Sequence, residues 1–248
     1  MSSTGKLQGV ERFFIPPAAI ENAVITLPLT ELCMPAQAEQ LLTAYASMLG
    51  TEDKRIAAAI LCSWIAGICG AKYALLTAKD PLAQALRLNN MSVQLLRTEG
   101  YPEFAFPIHN QRENNTEQRG NGQGISEELG RFYRNEVKPL IAALAGASQT
   151  KPVMLWKQIY NQLYTFIEED ALDASSACSR SQIYRHFQAS LWEMTPEVFG
   201  LRSNPLRITP RFRRDPHPPF EMISVKATCC LAYKLRADHA YCGGCPIL

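Results

Sequence analysis

The sequence lacks the local signatures of the common nucleotide-dependent and hydrolytic enzymes. It contains no GxxxxGK[S/T] phosphate loop, no GxGxxG turn after a strand and no GxSxG elbow. It also lacks a charge excess. Lys and Arg number 25 against 23 Asp and Glu, a formal net charge of +2, which argues against a general nucleic-acid binder. The opening stretch, Met1 to Phe14, has no basic start followed by an apolar segment. No export signal is read there, and a reducing cytoplasm is the expected compartment. No long repeat is present. The longest apolar run, Ile56 to Ala71, has sixteen residues between Lys54-Arg55 and Lys72, short of the roughly twenty that a membrane span needs. Its Ala and Gly content suits close packing, so it is expected to form a central core helix. That leaves room for peripheral membrane association but predicts no transmembrane span.

What is present describes a folded protein. At 248 residues, 47% hydrophobic and 19% charged, the chain can bury a sizeable core, as one large domain or a domain with an appendage. Residues 1–30 read as an arm with a short strand in Ala23–Leu29. A helical pattern runs from Ala36 to Leu49, with Ala38, Leu41, Leu42, Tyr45 and Met48 on one side. Gly50 stops it, and Thr51-Glu52-Asp53 caps the next helix, which extends to about Lys79 before Asp80-Pro81. Alternation in Met91–Ile108, around Glu99-Gly100, predicts a hairpin. His109–Gly124 is rich in Asn, Gln, Gly and Arg and reads as a long loop, either a solvated insertion or a lid.

Ser126, Glu127 and Glu128 open a further helix that Pro139 kinks or divides. Pro152 starts another, in which Leu155, Trp156, Ile159, Tyr160, Leu163, Phe166 and Ile167 share one face. Such an aromatic stripe is a core face, although the tyrosines can also line a cleft. Ala177–Trp192 is amphipathic, with Ile183, Phe187 and Leu191 inside and His186 outside. After it, Ile208–Ala227 reads as a hairpin turning at Asp215–Pro219. The fold expected is mainly α with small β-hairpins. A helical domain, 1–205, precedes a hairpin and cysteine-rich segment, 206–248.

Cysteine supplies the chemistry. Four of the eight cysteines, Cys229, Cys230, Cys242 and Cys245, fall in the last twenty residues. Thiolates are soft ligands, suited to zinc, Cu(I) or an iron–sulfur cluster. Cys242-Gly-Gly-Cys245 is a tight turn whose two side chains can converge. Cys229-Cys230 is a vicinal pair, and neighbours in an extended strand point to opposite faces. The chain must leave regular structure if both are to face one centre. A vicinal pair is a poor chelate for a single tetrahedral zinc, whereas a two-iron cluster is wider and needs no single point of convergence. Structural zinc, disulfides and free thiols remain open on this reading. Cys33, Cys62, Cys69 and Cys178 read as buried or free thiols, and His239, inside the cysteine spacer, as a solvated loop residue. Arg211, Arg213 and Arg214 form a basic cluster before the hairpin turn. They either protect an edge strand or dock an anionic chelate or acidic donor.

The pattern CC-x11-C-x2-C resembles the C-terminal motif of the ferric-siderophore reductases of the FhuF type. Weaker likenesses are the segment Asn204-Pro205-Leu206-Arg207 and the aromatic helix from Val153. The spacer is one residue longer than the family's. The resemblance implies a [2Fe-2S] cluster held by Cys229, Cys230, Cys242 and Cys245. It implies one-electron reduction of siderophore-bound Fe(III) to Fe(II), which oxygen ligands hold weakly. The electron would come from an external ferredoxin, flavodoxin or reductase, since no flavin or nicotinamide motif is visible. Two readings stand beside it. One is an iron–sulfur electron carrier or redox sensor without siderophore activity. The other is a helical binding protein with a structural zinc site.

Overall fold

A computed structural model describes residues 10–110, 124–173, 177–215, 221–235 and 241–248. The chain is mainly α-helical, with one three-stranded and one two-stranded antiparallel sheet. Helix α1, Pro35–Met48, buries Ala38, Leu41, Leu42 and Tyr45, as its periodicity predicts. Helix α2, Lys54–Thr77, is capped by Asp53, whose carboxylate accepts the Arg55 backbone N–H at 3.0 Å. Its 24 residues exceed the sixteen-residue apolar run, because polar residues at both ends continue the helix. By length and composition alone it could cross a membrane, yet 67% of its most apolar stretch is buried inside the protein. Cys62 and Cys69 lie in that buried face.

Strand β1, Ile25–Pro28, pairs with β2, Ser92–Leu96, which pairs with β3, Glu103–Ala105. The predicted 91–108 hairpin forms, with Leu95 opposite Phe104, and an isolated Met91–Ile108 bridge continues it. The arm strand joins its outer side, a pairing that local alternation does not reveal. Most of the Asn-rich loop, 111–123, lies outside the described residues.

Helix α3, Ile125–Phe132, is followed by a single π-helical turn, Tyr133–Val137, and by α4, Lys138–Ser148. The wide turn sits immediately before Pro139, whose ring cannot donate and crowds the preceding turn. Ser126, Glu127 and Glu128 lie in the first turn of α3, as expected, and the Ser126 hydroxyl donates to Glu193 at 3.1 Å. Helix α5, Pro152–Asp173, runs through the centre and packs on α2, α4 and α6, Ala177–Trp192. All seven residues of its predicted apolar stripe are buried, and Trp156 meets Phe199 edge-on, with centroids 5.0 Å apart. His186 is exposed, as expected. The last sheet is a hairpin of β4, Arg211–Arg214, and β5, Met222–Val225, with Phe212 opposite Ser224. Its turn, 216–220, lies outside the described residues.

Small residues of α2 admit the N-terminal segment. At Gly70 an added methyl would stand 3.0 Å from both the Phe13 and Phe166 rings, which meet edge-to-face at 4.9 Å. At Gly67 it would strike the Phe13 carbonyl oxygen. Gly67→Ala is therefore expected to destabilise the protein by about 1–3 kcal/mol, despite alanine's better helix propensity. Urea denaturation followed by circular dichroism checks this, and an unchanged or raised midpoint would contradict it.

Candidate metal centre

The site is built on a polar stripe that interrupts the aromatic face of α5. Gln158, Asn161, Thr165 and Glu168 recur at helical spacing, and Gln158 and Asn161 are buried. Both carboxamides are spent on the chain leading into the first cysteine pair. Asn161 Oδ1 accepts the Ala227 N–H at 2.7 Å, and Asn161 Nδ2 donates to the Thr228 carbonyl at 3.0 Å. Gln158 Nε2 donates to the Cys229 carbonyl at 2.7 Å. Asn161 Nδ2 also donates to Gln158 Oε1 at 3.2 Å, which orients the two side chains together. The segment 227–229 thus docks on α5 through side chains that imitate a neighbouring strand.

Beyond Ala227 the chain leaves extended structure, as the vicinal pair requires. Leu231 takes a left-handed conformation, φ 62°, and a short 3-10 turn, Ala232–Lys234, follows. The bend aims the Leu231 N–H at Cys229 Sγ, 3.3 Å away. The spacer's two ends return to one place because the Tyr233 and Tyr241 rings stack, with centroids 4.8 Å apart. Residues 236–240, with His239, lie outside the described residues.

The second pair rides on β5. The Cys245 N–H bonds the Cys242 carbonyl at 2.9 Å, closing the turn. Lys226 N–H donates to the Gly244 carbonyl at 2.8 Å. A Cβ at Gly244 would stand 2.5 Å from the Ser224 carbonyl oxygen, so glycine is what allows the turn to lie against the strand. The Arg213 guanidinium donates to the Gly243 carbonyl and, at 3.3 Å, to the Leu248 carbonyl. Within the basic cluster, Arg213 therefore fastens the cysteine turn, while Arg211 and Arg214 are exposed.

These fastenings bring Cys229 and Cys245 together. Burial raises the Cys229 thiol above its ordinary range, and the Leu231 N–H opposes that shift. The neighbouring Cys245 and Cys230 sulfurs raise it further. Cys245 is buried, Cys229 and Cys230 are half-buried, and Cys242 is exposed. Among the described residues, no group of three or more His, Cys, Asp or Glu side chains is gathered as a ready metal cage. The thiols fit a soft metal group by other criteria. The donors are all sulfur, a backbone N–H already serves Cys229, and a glycine brings the Cys242–Cys245 turn against β5. Cys62 and Cys69 are wholly buried, and burial raises both thiols strongly, as expected of core cysteines. Burial also raises the half-buried Cys33. The Cys178 side chain lies outside the described residues.

No family model, curated protein or solved structure matches the chain.

Sequence reasoning passed over Gln158, Asn161 and Glu168. The signal was there, a second, polar stripe on a helix whose apolar stripe was clear. Asn161→Ala is expected to cost about 1–3 kcal/mol, because the Ala227 N–H and Thr228 carbonyl lose their partners. Chemical denaturation measures this, and a loss below about 0.5 kcal/mol would show that water replaces the amide freely. In metal-free protein held without air, Cys242 is expected to alkylate first, with Cys245, Cys62 and Cys69 protected until unfolding. Peptide mapping by mass spectrometry reads the order, and early labelling of Cys245 would contradict the buried turn.

Proposed function

We propose that the chain is a ferric-siderophore reductase of the cytoplasm that carries a [2Fe-2S] cluster on Cys229, Cys230, Cys242 and Cys245. The observation that carries this reading is the CC-x11-C-x2-C pattern, together with the nearness of Cys245 in the second pair to Cys229 in the first. When bound, such a cluster supplies a reversible one-electron couple. The chain's own residues do the rest. Gln158 and Asn161 hold the main chain of the first pair, while Arg213 and Gly244 seat the second pair on β5. The Leu231 N–H donates to the Cys229 sulfur and favours its charged form.

Oxygen-chelated Fe(III) is the substrate, and its reduction to Fe(II) weakens the hold of hard oxygen ligands. An external ferredoxin, flavodoxin or reductase is the electron source. The surface around the cysteines suits such a partner. Phe212, Met222, Tyr241, Ile247 and Leu248 are large apolar side chains exposed on the hairpin and cysteine segment. Arg211 and Arg214 flank them on β4, an apolar and basic combination that fits an acidic donor.

The test begins with protein purified anaerobically. It is expected to contain iron and acid-labile sulfide and to absorb in the visible range, whereas a zinc protein is colourless. Reduced protein should be reoxidised by ferric siderophores. Cys242→Ser should lose the visible absorption and keep its helical circular dichroism, since Cys242 is exposed and outside the core. Absence of sulfide after reconstitution would end the proposal, and a cluster that no ferric chelate reoxidises would leave a carrier or sensor.

A further inference from the structure

A cleft of about 550 Å³ opens between α5, α6 and the β4–β5 hairpin. Its helical wall carries Tyr160 and Tyr164 of α5 and Tyr184 of α6. The Tyr160 and Tyr164 rings stack, with centroids 5.8 Å apart and 24° between planes, and Tyr184 lies 5.9 Å from Tyr164. Ser224 of β5 and Lys226, just past its end, line the opposite wall, joined by Gly243 and Gly244 of the cysteine turn. Glu168 stands among them, half-buried, and its Oε2 accepts the Ser224 hydroxyl at 3.1 Å. Ser224 therefore faces two ways. Its side chain holds the cleft carboxyl, and its carbonyl is the surface on which Gly244 rests.

We propose that this cleft receives the oxygen-liganded Fe(III) chelate, with the tyrosines as its seat and Glu168 as the acid that protonates a ligand oxygen as iron leaves. The inference rests on the reductase reading above. One electron from a one-electron reductant, the reduced iron–sulfur centre of that reading, converts Fe(III) to Fe(II). An Fe–O bond breaks and its electron pair stays on oxygen. The Glu168 proton moves to that oxygen, which blocks recapture of the iron. Glu168 is left as carboxylate and regains a proton from solvent.

The surroundings suit the role. Burial raises the Glu168 carboxyl above the ordinary glutamate range, and the Ser224 hydroxyl opposes that shift. The groups facing it are Tyr160 and Tyr164 on its own helix, Tyr184 on α6, Lys226 just after β5, and Asp215 and Glu221 on the hairpin. Burial raises all three tyrosine hydroxyls, so they stay neutral where a carboxyl titrates. Glu168 keeps its proton to higher pH than a free glutamate, and the protonated fraction falls as pH rises through the shifted value. Release dependent on it falls in the same direction.

Two measurements test this. Calorimetry with the gallium(III) complex of a trihydroxamate reads docking, because gallium is not reduced and the reading needs no cluster. Anaerobic release of Fe(II) from the ferric trihydroxamate, trapped by ferrozine, is followed from acid to neutral pH. Tyr184→Leu should weaken gallium-complex binding by about tenfold. Glu168→Gln should bind it within about twofold of wild type, release Fe(II) more slowly by on the order of 100-fold, and lose the pH dependence. Glu168→Asp should recover part of both. A wild-type pH profile in Glu168→Gln overturns the acid role. Undiminished gallium-complex binding in both Tyr184→Leu and Tyr164→Leu overturns the cleft. Gallium-complex binding that responds to these variants in protein without sulfide supports the cleft and defeats the reductase reading. Reduction that proceeds with every variant unaffected does the reverse.

Discussion

Two carboxamides on one helix hold the cysteine segment to the body of the protein. Gln158 and Asn161 are buried on α5, where water cannot substitute for their partners. A satisfied amide hydrogen bond contributes only about 1 kcal/mol net, but a buried amide left without a partner costs about 1–3 kcal/mol. That asymmetry makes the pair selective. The Ala227 N–H and the Thr228 and Cys229 carbonyls satisfy both side chains at 2.7–3.0 Å, and a slip of one residue along the chain would turn the corresponding backbone groups away from them. The main chain is thereby set in register just where the vicinal cysteines begin.

Everything nearer the sulfurs follows from that register. Once 227–229 is fixed, β5 is placed, and the Cys242–Cys245 turn lies on β5 through Lys226, Gly244 and Arg213. The Tyr233–Tyr241 stack closes the spacer. Strand, turn and stack are separate fastenings, and each acts on a different part of the segment. They leave Cys245 buried near the half-buried Cys229, and Cys242 at the surface.

Much of the helical frame was legible in the sequence. Leu155, Trp156, Ile159 and Tyr160 announce the buried face of α5, and the alternation around Glu99-Gly100 announces the β2–β3 hairpin. Cys62 and Cys69 could be assigned to the core because everything around them is apolar. The site was legible only as a set of ligands. Arg213 looked like its neighbours Arg211 and Arg214, yet it bonds the cysteine turn, because that turn lies within its reach on its side of β4. The extent of α2, from its Asp53 cap to just before Asp80-Pro81, was legible from its end signals. Apolar runs mark burial, and the helix continues past the run wherever backbone bonding continues.

The pairing of β1 with β2 had no local signature, since strand partners are chosen by what else the sheet must cover. Glu168 and the tyrosines show the same limit. Each looked like one more residue of an amphipathic helix until the hairpin was laid across them. The sequence by itself determined the helix faces, the hairpins and the supply of four closely spaced thiols, because periodicity and turn chemistry act over a few neighbouring residues. Only the tertiary structure decided which thiols lie near one another, which arginine bonds the cysteine turn and what lines the cleft. Those outcomes rest on contacts between groups distant along the chain, Arg213 with Gly243 at 30 positions, Ser224 with Glu168 at 56 and Gln158 with Cys229 at 71, where local preference has no reach.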